Sequence, residues 1–312
     1  MKTPRSVLVT GGNGFIGRHL VRKLLDDGCA VALLQRSPDR IDPRTQLFHV
    51  DRLAPDEIAA VLKGRRFDWL FHLAGYGVRP HDRDLETMFR INVDVTRELM
   101  NAAAGWAPRA VIVAGSGSEY RLEGVERPVT EDWPLEPYEP YGALKAAGTL
   151  CAAAIAAARR VPFAACRIFG VYGPGEAPHR LLPSLVNGLR ANRRVPLSEG
   201  LQRRDFLFVS DVIEALTQTA LALETDPQQL ILNVGTGRPI TVCEFAKTVA
   251  AILAVPETRL GFGDIPMRTG ETMVFSGDSA KLHRLTGWTP TIELRDGIRR
   301  HLELDVSAYS SR

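Results

Sequence analysis

The chain has 312 residues, of which 45% are hydrophobic and 24% are charged, and its formal net charge is +3. This length allows one large domain or two modest ones with a substantial core, and the composition is that of an ordinary soluble globular protein. The small net charge gives no reason to expect a nucleic-acid partner. A strand-like run begins at residue 6 and no apolar stretch of about 18 residues follows, so we predict a cytoplasmic protein without signal peptide or membrane span.

The first 170 residues alternate short apolar runs with longer segments of helical spacing. The runs predict strands at 6–10, 29–34, 45–50, 67–75, 109–115 and 161–169. The longer segments predict helices at 15–28, 55–64, 85–104 and 141–160. Short strands that alternate with helices are typical of a parallel sheet covered on both faces. The order therefore predicts an α/β fold with a Rossmann-type doubly wound parallel sheet.

The pattern changes after about residue 170, where turn-rich sequence begins. The elements predicted beyond it are at 181–191 (helix), 203–223 (strand, then helix), 230–237 (strand) and 241–253 (helix). We therefore predict two domains. The dinucleotide-binding domain would span 1–170, with returning segments near 205–237, and a smaller C-terminal substrate-binding domain would comprise 171–204 and 238–312.

The four cysteines are scattered along the chain, without a CxxC pair, at positions 29, 151, 166 and 243. Buried free thiols in a reducing compartment are the state that this pattern predicts. No metal site is predicted, since no spacing typical of metal ligands accompanies the cysteines.

A glycine loop joins the first predicted strand to the first predicted helix, with Gly11, Gly14 and Gly17 in the spacing GxxGxxG. Glycines let the backbone turn tightly and approach a pyrophosphate, and the helix N-terminus adds N–H donors and a positive partial charge. Turns also collect glycines for structural reasons alone, so the pattern gains its meaning from its place between strand and helix. We predict a dinucleotide site here.

The stretch TGGNGFIG (10–17) resembles the first motif of the extended short-chain dehydrogenase/reductase family, the NAD-dependent epimerases and dehydratases. The likeness continues in order along the chain at FHVD (48–51), FHLAG (71–75), RINVDVT (90–96), YGALK (141–145), RIFGVYGPG (167–175), RRDFLFVSD (203–211), NVGTG (233–237) and TGWTP (286–290). It implies cofactor contacts at Gly11, Gly14, Phe15, Ile16, Gly17, Asp51, Arg52, Leu73, Ala74, Gly75, Asn92, Tyr141 and Lys145. Of these, Asp51 would contact the adenine, and Asn92 would bind backbone near the active-site helix.

Tyr141 and Lys145 are four residues apart and would share one face of a helix. An ammonium near a phenol favours the phenolate, so Lys145 should lower the pKa of Tyr141 and ready it for proton transfer. The alternative is a surface Tyr and Lys on an Ala-rich helix. The family resemblance implies a third catalytic group, a Ser or Thr four residues before a Tyr, which is Ser116 here. Ser118 is the second choice for that role and is otherwise predicted to contact the substrate.

The resemblance also implies a nucleotide-sugar substrate, held by several charged side chains of the C-terminal half. Arg204 and Arg268 lie where the family clamps the diphosphate, which suits the planar guanidinium fork. Arg180 takes a position that faces the same diphosphate, and Glu271 one that contacts the nucleotide ribose. Singly, each Arg could be a solvated surface residue.

The residues after Ser116 bear on the type of reaction. The family's 4,6-dehydratases carry an Asp-Glu pair there, whereas this chain has Gly117 and Ser118. The 3,5-epimerising reductases use a Cys in this segment, which is absent, and a His from whose place His179 is offset by one residue. Two reactions remain, the reduction of a 4-keto sugar and 4-epimerisation.

The second strand is followed by Gln35, Arg36 and Ser37, where NAD-dependent relatives have an Asp that binds the adenosine ribose. A carboxylate would repel the 2′-phosphate of NADP, whereas Arg36 and Ser37, with Arg40, could donate hydrogen bonds to it. The alternative is a loop that is merely polar. We predict NADP(H), with NAD(H) as the second possibility, and hence a reductase, since epimerases recycle a retained NAD.

Two further hypotheses stay open beside the reductase. One is an NAD-dependent nucleotide-sugar 4-epimerase, and the other, from a different class, is a catalytically silent nucleotide-sensing protein. The family resemblance also implies a homodimer formed through the helices at 85–104 and 141–160.

Overall fold

Seven parallel strands form the central sheet of the chain in a computed structural model, which describes residues 4–37, 42–79 and 81–309. The strands in chain order are β1 (Ser6–Thr10), β2 (Ala30–Gln35), β3 (Gln46–His49), β4 (Trp69–His72), β5 (Ala110–Ser116), β6 (Phe163–Ile168), β7 (Val171–Tyr172), β8 (Val195–Leu197), β9 (Arg203–Arg204), β10 (Leu207–Phe208), β11 (Gln229–Val234), β12 (Ile240–Thr241), β13 (Leu260–Phe262) and β14 (Val274–Phe275). The central sheet has the order β11-β6-β5-β4-β1-β2-β3. The Rossmann-type fold predicted from the sequence is thereby confirmed.

The helices lie on both faces of this sheet and around the smaller strands. They are α1 (Phe15–Asp26), α2 (Pro55–Leu62), α3 (Leu85–Phe89), α4 (Val95–Ala104), α5 (Pro140–Arg159), α6 (Leu181–Arg190), α7 (Val209–Thr225), α8 (Val242–Ile252), α9 (Ala280–Thr286) and α10 (Leu294–Tyr309). Arg90–Asp94 form a π-helical turn, and Gly117–Glu119 and Glu257–Arg259 form 3₁₀ turns. The helix predicted at 85–104 is thus interrupted, and the carbonyl of Asn92 in the π turn approaches α5 where Gly148 leaves room for it.

The two faces of the sheet bury separate sets of apolar side chains, as period-two alternation requires. Val7 and Val9 of β1 lie in the core beneath α1 and α7, whereas Leu8 between them lies in the core beneath α2, α4 and α5. Full burial of each such side chain contributes about 1.5–3 kcal/mol. The order of the sheet reverses at β1, so the carboxyl ends of β1 and β4 flank a crevice of the kind in which such folds bind ligands.

The C-terminal half builds small sheets around a core of its own. β9 lies between β12 and β14, β8 pairs with β13, and β7 pairs with β10. A third apolar core gathers α6, α8 and α10 around Phe245 and Tyr172. The chain returns to the central sheet through β11, which pairs with β6. The domain bounds given above stay a prediction.

Two further sequence features find their place in the fold. All four cysteines are free, but only Cys166 is buried, so the expectation of buried thiols is wrong for the other three. Within the described residues α5 is the one helix long and apolar enough to span a membrane. Its Ala152 and Ala156 are buried in the core beneath the sheet, as in the core helix of a globular protein.

Candidate active site

The glycine loop after β1 is packed so closely that side chains are excluded from it. Gly11 has φ +70°, and a Cβ atom on Gly17 would lie 2.0 Å from the carbonyl oxygen of Gly11. Gly14 is the N-cap of α1, with Phe15 and Ile16 in the first turn, and no side chain caps the helix. The loop therefore leaves the N-terminal amides of α1 to an anionic ligand.

The loop after β4 lies directly against the glycine loop. A Cβ atom on Gly11 would be 2.7 Å from the amide nitrogen of Ala74, and the hydroxyl of Thr10 accepts a hydrogen bond from that amide. Leu73 donates its amide to the carbonyl of Thr10 at 3.1 Å, and Gly75 follows. The structure thus brings together the two predicted groups of cofactor contacts at 11–17 and 73–75.

A chain of buried hydrogen bonds supports the contact between these two loops. His72 contacts Thr10 through Nδ1 (2.7 Å) and Thr96 through Nε2 (2.9 Å), and Thr96 donates its hydroxyl to the carbonyl of Asn92 (2.8 Å). Since that hydroxyl already donates, Nε2–H of His72 is the donor to it and Nδ1 accepts from Thr10. Burial lowers the pKa of His72 to about 3, so the ring stays neutral. The side chain of Asn92 binds the backbone of Tyr76 at both its nitrogen and its oxygen.

The ends of β2 and β3 form the remaining predicted part of the cofactor site. The side-chain nitrogen Nε2 of Gln35 donates a hydrogen bond to the carbonyl of Ser37 (2.7 Å). The buried side-chain oxygen Oε1 of Gln35 has no hydrogen-bond partner among the described residues. Arg36 is exposed and accepts a hydrogen bond from His49 at its carbonyl. Asp51 is 84% exposed. Arg52 pairs with Glu57, and Arg40 lies outside the described residues.

The predicted catalytic residues meet between the end of β5 and the start of α5. The hydroxyl of Ser116 lies near enough to the phenol of Tyr141 to act on its pKa, and Lys145 donates its ammonium to the carbonyl of Ala114 at 2.6 Å. A Cβ atom on Gly142 would lie 2.1 Å from the carbonyl oxygen of Ser118, so this glycine lets the helix approach the turn after β5. No local pattern in the sequence indicates this contact.

The prediction that Lys145 lowers the pKa of Tyr141 is wrong for this structure. Burial raises the pKa of the phenol to about 12, and the hydrogen bond from Ser116 and the charge of Arg180 oppose this rise without overcoming it. Burial lowers the pKa of Lys145, while the charge of Glu119 raises it. The phenol is therefore protonated at neutral pH.

Arg180 and Ser118 are the predicted substrate contacts that lie near the catalytic group. Arg180 is the N-cap of α6, and its charge acts on Tyr141. Its Nε is 3.3 Å from Oε1 of Glu176, whose other carboxylate oxygen is buried without a hydrogen-bond partner. Burial raises the pKa of Glu176 to about 7. Ser118 donates its amide to the hydroxyl of Ser116 at 3.1 Å.

The other predicted substrate contacts gather at the small sheet around β9. Arg204 forms an ion pair with Glu271, and both side chains are 19% exposed. Arg268 is exposed, and its carbonyl oxygen accepts a hydrogen bond from the backbone amide of Glu271. The two residues therefore lie in one turn. Next to Arg204, the buried Asp205 accepts hydrogen bonds from Ser276 and from the amide of Gly277. The sequence reasoning missed Asp205, although an acid in RRDF was visible.

The sequence reasoning also missed Glu119 and Arg167, which form a buried ion pair at 2.8 Å beneath the catalytic group. An arginine inside the otherwise apolar run FAACRI of β6 is the one signal that could have found it. The residues in 4–37, 42–79 and 81–309 include no group of three or more His, Cys, Asp or Glu side chains placed to hold a metal ion.

The site fits a dinucleotide. The glycine loop is a cradle that a Cβ would fill, the start of α1 has uncapped amides, and Gln35 turns a buried, unpartnered oxygen toward Gly12, 3.7 Å from where a Cβ would lie. Amides at a helix N-terminus suit a pyrophosphate, and an acceptor at the end of β2 suits a ribose hydroxyl.

Comparison with known proteins gives the same picture. Residues 7–235 match the NAD dependent epimerase/dehydratase family. The chain is 31% identical over 306 residues to dTDP-6-deoxy-L-talose 4-dehydrogenase (NAD(P)(+)) of Kitasatospora kifunensis, which covers 95% of this chain and 94% of that protein. It is 25% identical over 333 residues to a probable UDP-glucuronate 4-epimerase of Rhizobium meliloti (strain 1021), covering 95% of each. Among solved structures, MoeE5 in complex with UDP-glucuronic acid and NAD is similar, with a TM-score of 0.83 and 32% identity over 97% of this chain and 99% of that one.

Proposed function

Because this chain belongs to the NAD dependent epimerase/dehydratase family, we propose that it reduces a nucleoside-diphosphate 4-keto-6-deoxyhexose to the 4-hydroxy sugar with NADPH. It is an enzyme that acts on nucleotide sugars with a nicotinamide cofactor. The observation that carries the proposal is the placement of Ser116, Tyr141 and Lys145 together, where the end of β5 meets the start of α5.

The protonation state of Tyr141 supports the reducing direction. When bound, the reduced nicotinamide supplies a hydride to C4 of the sugar. The carbonyl oxygen then gains negative charge and needs a proton, which Tyr141 holds at neutral pH, since a phenol has an ordinary pKa of about 10 and burial raises that of Tyr141 to about 12. Ser116 donates a hydrogen bond to the same oxygen, and Lys145 holds the nicotinamide ribose. The hydride becomes the hydrogen on C4, and the proton that leaves Tyr141 completes the hydroxyl on the same carbon.

The turn after β5 supports reduction over dehydration. Gly117 and Ser118 stand where a dehydratase needs an acid and a base for C5 and C6 of the sugar. Glu119, the carboxylate whose charge acts on Tyr141, is fully buried, and both its oxygens are bound to protein groups, so it has no free oxygen with which to move a substrate proton. The K. kifunensis relative is named for oxidation at C4, which is the reverse of the reaction proposed here.

The end of β2 supports NADP(H) as the preferred cofactor, with NAD(H) as the second. The side chain of Gln35 is neutral, so its oxygen can accept a hydrogen bond from a ribose hydroxyl without repelling a 2′-phosphate. Exposed Arg36 and the neighbouring Ser37 can donate to that phosphate. NADPH is the usual reductant in cells, and a cofactor consumed in each turnover must be exchanged.

The test is incubation with NADPH and 4-keto-6-deoxyhexoses linked to dTDP, GDP, CDP and UDP. We expect the absorbance of the reduced nicotinamide to fall in proportion to the sugar product formed, with dTDP as the first candidate. An NAD-dependent 4-epimerase would instead carry NAD through purification and convert a nucleotide sugar to its C4 epimer without net cofactor use. No turnover with any of the four nucleotides would rule the reductase out.

We extend the proposal to a homodimer formed through α3, α4 and α5. Its support is the set of large apolar side chains exposed on these helices, namely Leu85 (57%), Phe89 (48%) and Leu150 (54%). Light scattering should give twice the chain mass for the wild type and a lower mass for Leu150→Glu. The cytoplasmic location stays a prediction.

A further inference from the structure

A buried carboxylate lies beneath the catalytic group and takes no part in the proposed reaction. Glu119 is fully buried, and its Oε1 accepts the amide of Ser116 (2.8 Å) and the hydroxyl of Thr149 (3.0 Å). Its Oε2 accepts Nε of Arg167 at 2.8 Å. Both oxygens are thus bound by protein groups, which closes this carboxylate to the substrate.

The partners of Glu119 belong to the two elements that carry the catalytic residues. Ser116 ends β5, and Thr149 lies on α5, four residues beyond Lys145 and eight beyond Tyr141. Residues at this spacing share one face of a helix, so Thr149 continues the catalytic face one turn deeper into the protein. A Cβ atom at position 115 would lie 2.7 Å from Oε1 of Glu119, so Gly115 makes room for the carboxylate.

Arg167, the counter-ion of Glu119, is itself held by Tyr120. Arg167 is 2% exposed, donates through Nη1 to the hydroxyl of Tyr120 at 2.8 Å, and lies 4.5 Å from the centre of that ring. Burying two charges costs desolvation free energy, and well-packed apolar residues often replace such pairs without loss of stability. Stability alone therefore does not account for a charged pair at this place.

The charged and titratable groups that face the catalytic residues are few. Lys145 has Glu119 on the turn after β5, neutral His72 on β4, and Tyr141 on its own helix. Tyr141 has Glu119 from below and Arg180 from the side of the substrate. Glu119 is the anion in this set, and its charge favours the protonated forms of both catalytic side chains.

We propose that Glu119 is a positioning residue for the catalytic group, because its carboxylate fastens the end of β5 at Ser116 to α5 at Thr149, with Arg167 as its counter-ion. This proposal rests on the proposed function, because it takes Ser116 and Tyr141 as catalytic residues. The contacts of Glu119 set the position of Ser116 relative to Tyr141. A displacement of either element would misplace the proton donor relative to the sugar oxygen.

The first test removes the contact to α5 and leaves every charge in place. Thr149→Val should lower kcat on the order of tenfold with KM changed less than about twofold, since it disturbs alignment rather than binding. Thr149→Ser should restore most of the rate. Thr219→Val is the matched control, since that buried hydroxyl bonds to the carbonyl of Ala215 on its own helix and to the thiol of Cys166, on the face of the sheet opposite α5. An unchanged kcat in Thr149→Val would overturn the proposal.

The second test removes the charge. In Glu119→Gln the alkaline limb of the pH profile of kcat should move by about one unit to lower pH, because losing the anion lowers the pKa of both Lys145 and Tyr141. A purely structural role would lower the rate at every pH and leave the limb in place, which contradicts the proposal. Glu224→Gln, which alters a carboxylate paired with Arg5 and Arg109 away from the site, is the control.

A third measurement separates this proposal from the proposed function. Amide hydrogen exchange should rise about fivefold in 114–118 and 141–145 of Thr149→Val, and not in Thr219→Val, as expected when one hydrogen bond is lost. If the wild type reduces none of the sugars, the proposed function fails and exchange alone decides the role of Glu119. Unchanged exchange in both segments would reject that role, whatever the substrate. If Glu119→Gln does not fold, Thr149→Val decides alone.

Discussion

Two regions of the site contain arginine in different environments. We call the buried pair Glu119 and Arg167 the floor, and the partly exposed pairs Arg180–Glu176 and Arg204–Glu271 the rim. On the floor, Arg167 and Glu119 are at most 2% exposed, and every partner they have belongs to the protein. On the rim, the Arg180 side chain is 46% exposed beside Glu176, and Arg204 is 19% exposed beside Glu271. The floor therefore consists of buried groups bound to one another, whereas the arginines of the rim are partly exposed.

This difference indicates how the two regions serve one reaction. The floor fixes Ser116 and α5 before substrate arrives, which spares the transition state any reorganisation. At the rim each arginine is paired with a carboxylate; under the proposed function a diphosphate would displace that carboxylate, and the exchange of partners would offset part of the binding free energy. We expect changes on the floor to alter kcat and its pH profile, and changes on the rim to alter KM and the pH dependence of stability.

The largest effect is expected at Tyr141. Tyr141→Phe removes the proton donor and keeps the ring, so kcat should fall about 10²–10⁴-fold while NADPH binding stays within about twofold of the wild type. Steady-state kinetics and cofactor titration measure the two quantities. Tyr138→Phe is the control, since Tyr138 is 71% exposed and bound to Glu123. An equal loss in both variants would mean that Tyr141 is not the proton donor.

The same division explains what the sequence could predict. Strand and helix periods, the glycine loop and the spacing of Tyr141 and Lys145 are local patterns, and they led to the confirmed fold and to a catalytic group that the structure brings together. The pairing of Glu119 with Arg167 and Thr149 joins positions up to 48 residues apart, and no local period reports it. The pKa of Tyr141 depends on burial, which spacing does not reveal, so its predicted direction was wrong.

The next effect concerns stability and the carboxylate of Glu176, which is 6% exposed. Burial raises its pKa from 4.5 to about 7, so the folded state holds this proton more tightly than the unfolded state. The contribution of the protonated Glu176 side chain to the free energy of unfolding is therefore fully present below about pH 4.5. It is lost as pH rises through 7, and the loss is at most about 3 kcal/mol. Glu176→Gln should remove this loss and make the variant relatively more stable at pH 8 than at pH 5.

Urea unfolding at the two pH values measures this difference. Glu244→Gln is the control of opposite sign, because that carboxylate caps α8 and hydrogen bonds to Thr241 lower its pKa. Its stabilising contribution is present at higher pH and is lost on acidification. If both variants changed with the same sign, burial of Glu176 would not be the cause.

A smaller effect is expected at Arg204, where the rim should affect binding rather than the chemical step. Arg204→Gln removes a diphosphate contact and leaves Glu271 facing the phosphates, so KM should rise about 30-fold with kcat nearly unchanged. Arg203→Gln is the matched control, because the neighbouring guanidinium binds the carbonyl of Pro239. A fall in kcat at unchanged KM would place Arg204 with the floor instead.

The smallest effect is expected at Arg36, beside the neutral Gln35 at the adenosine end of the cofactor site. Arg36→Ala removes an exposed donor for the 2′-phosphate, so the affinity for NADPH should fall about tenfold while that for NADH stays the same. Arg22→Ala, on the exposed face of α1, controls for the loss of one positive charge. Titration by cofactor fluorescence measures the affinities of the wild type and both variants for NADPH and NADH. Equal affinities of the wild type for the two cofactors would remove the preference for NADP and, with it, one support for reduction over epimerisation.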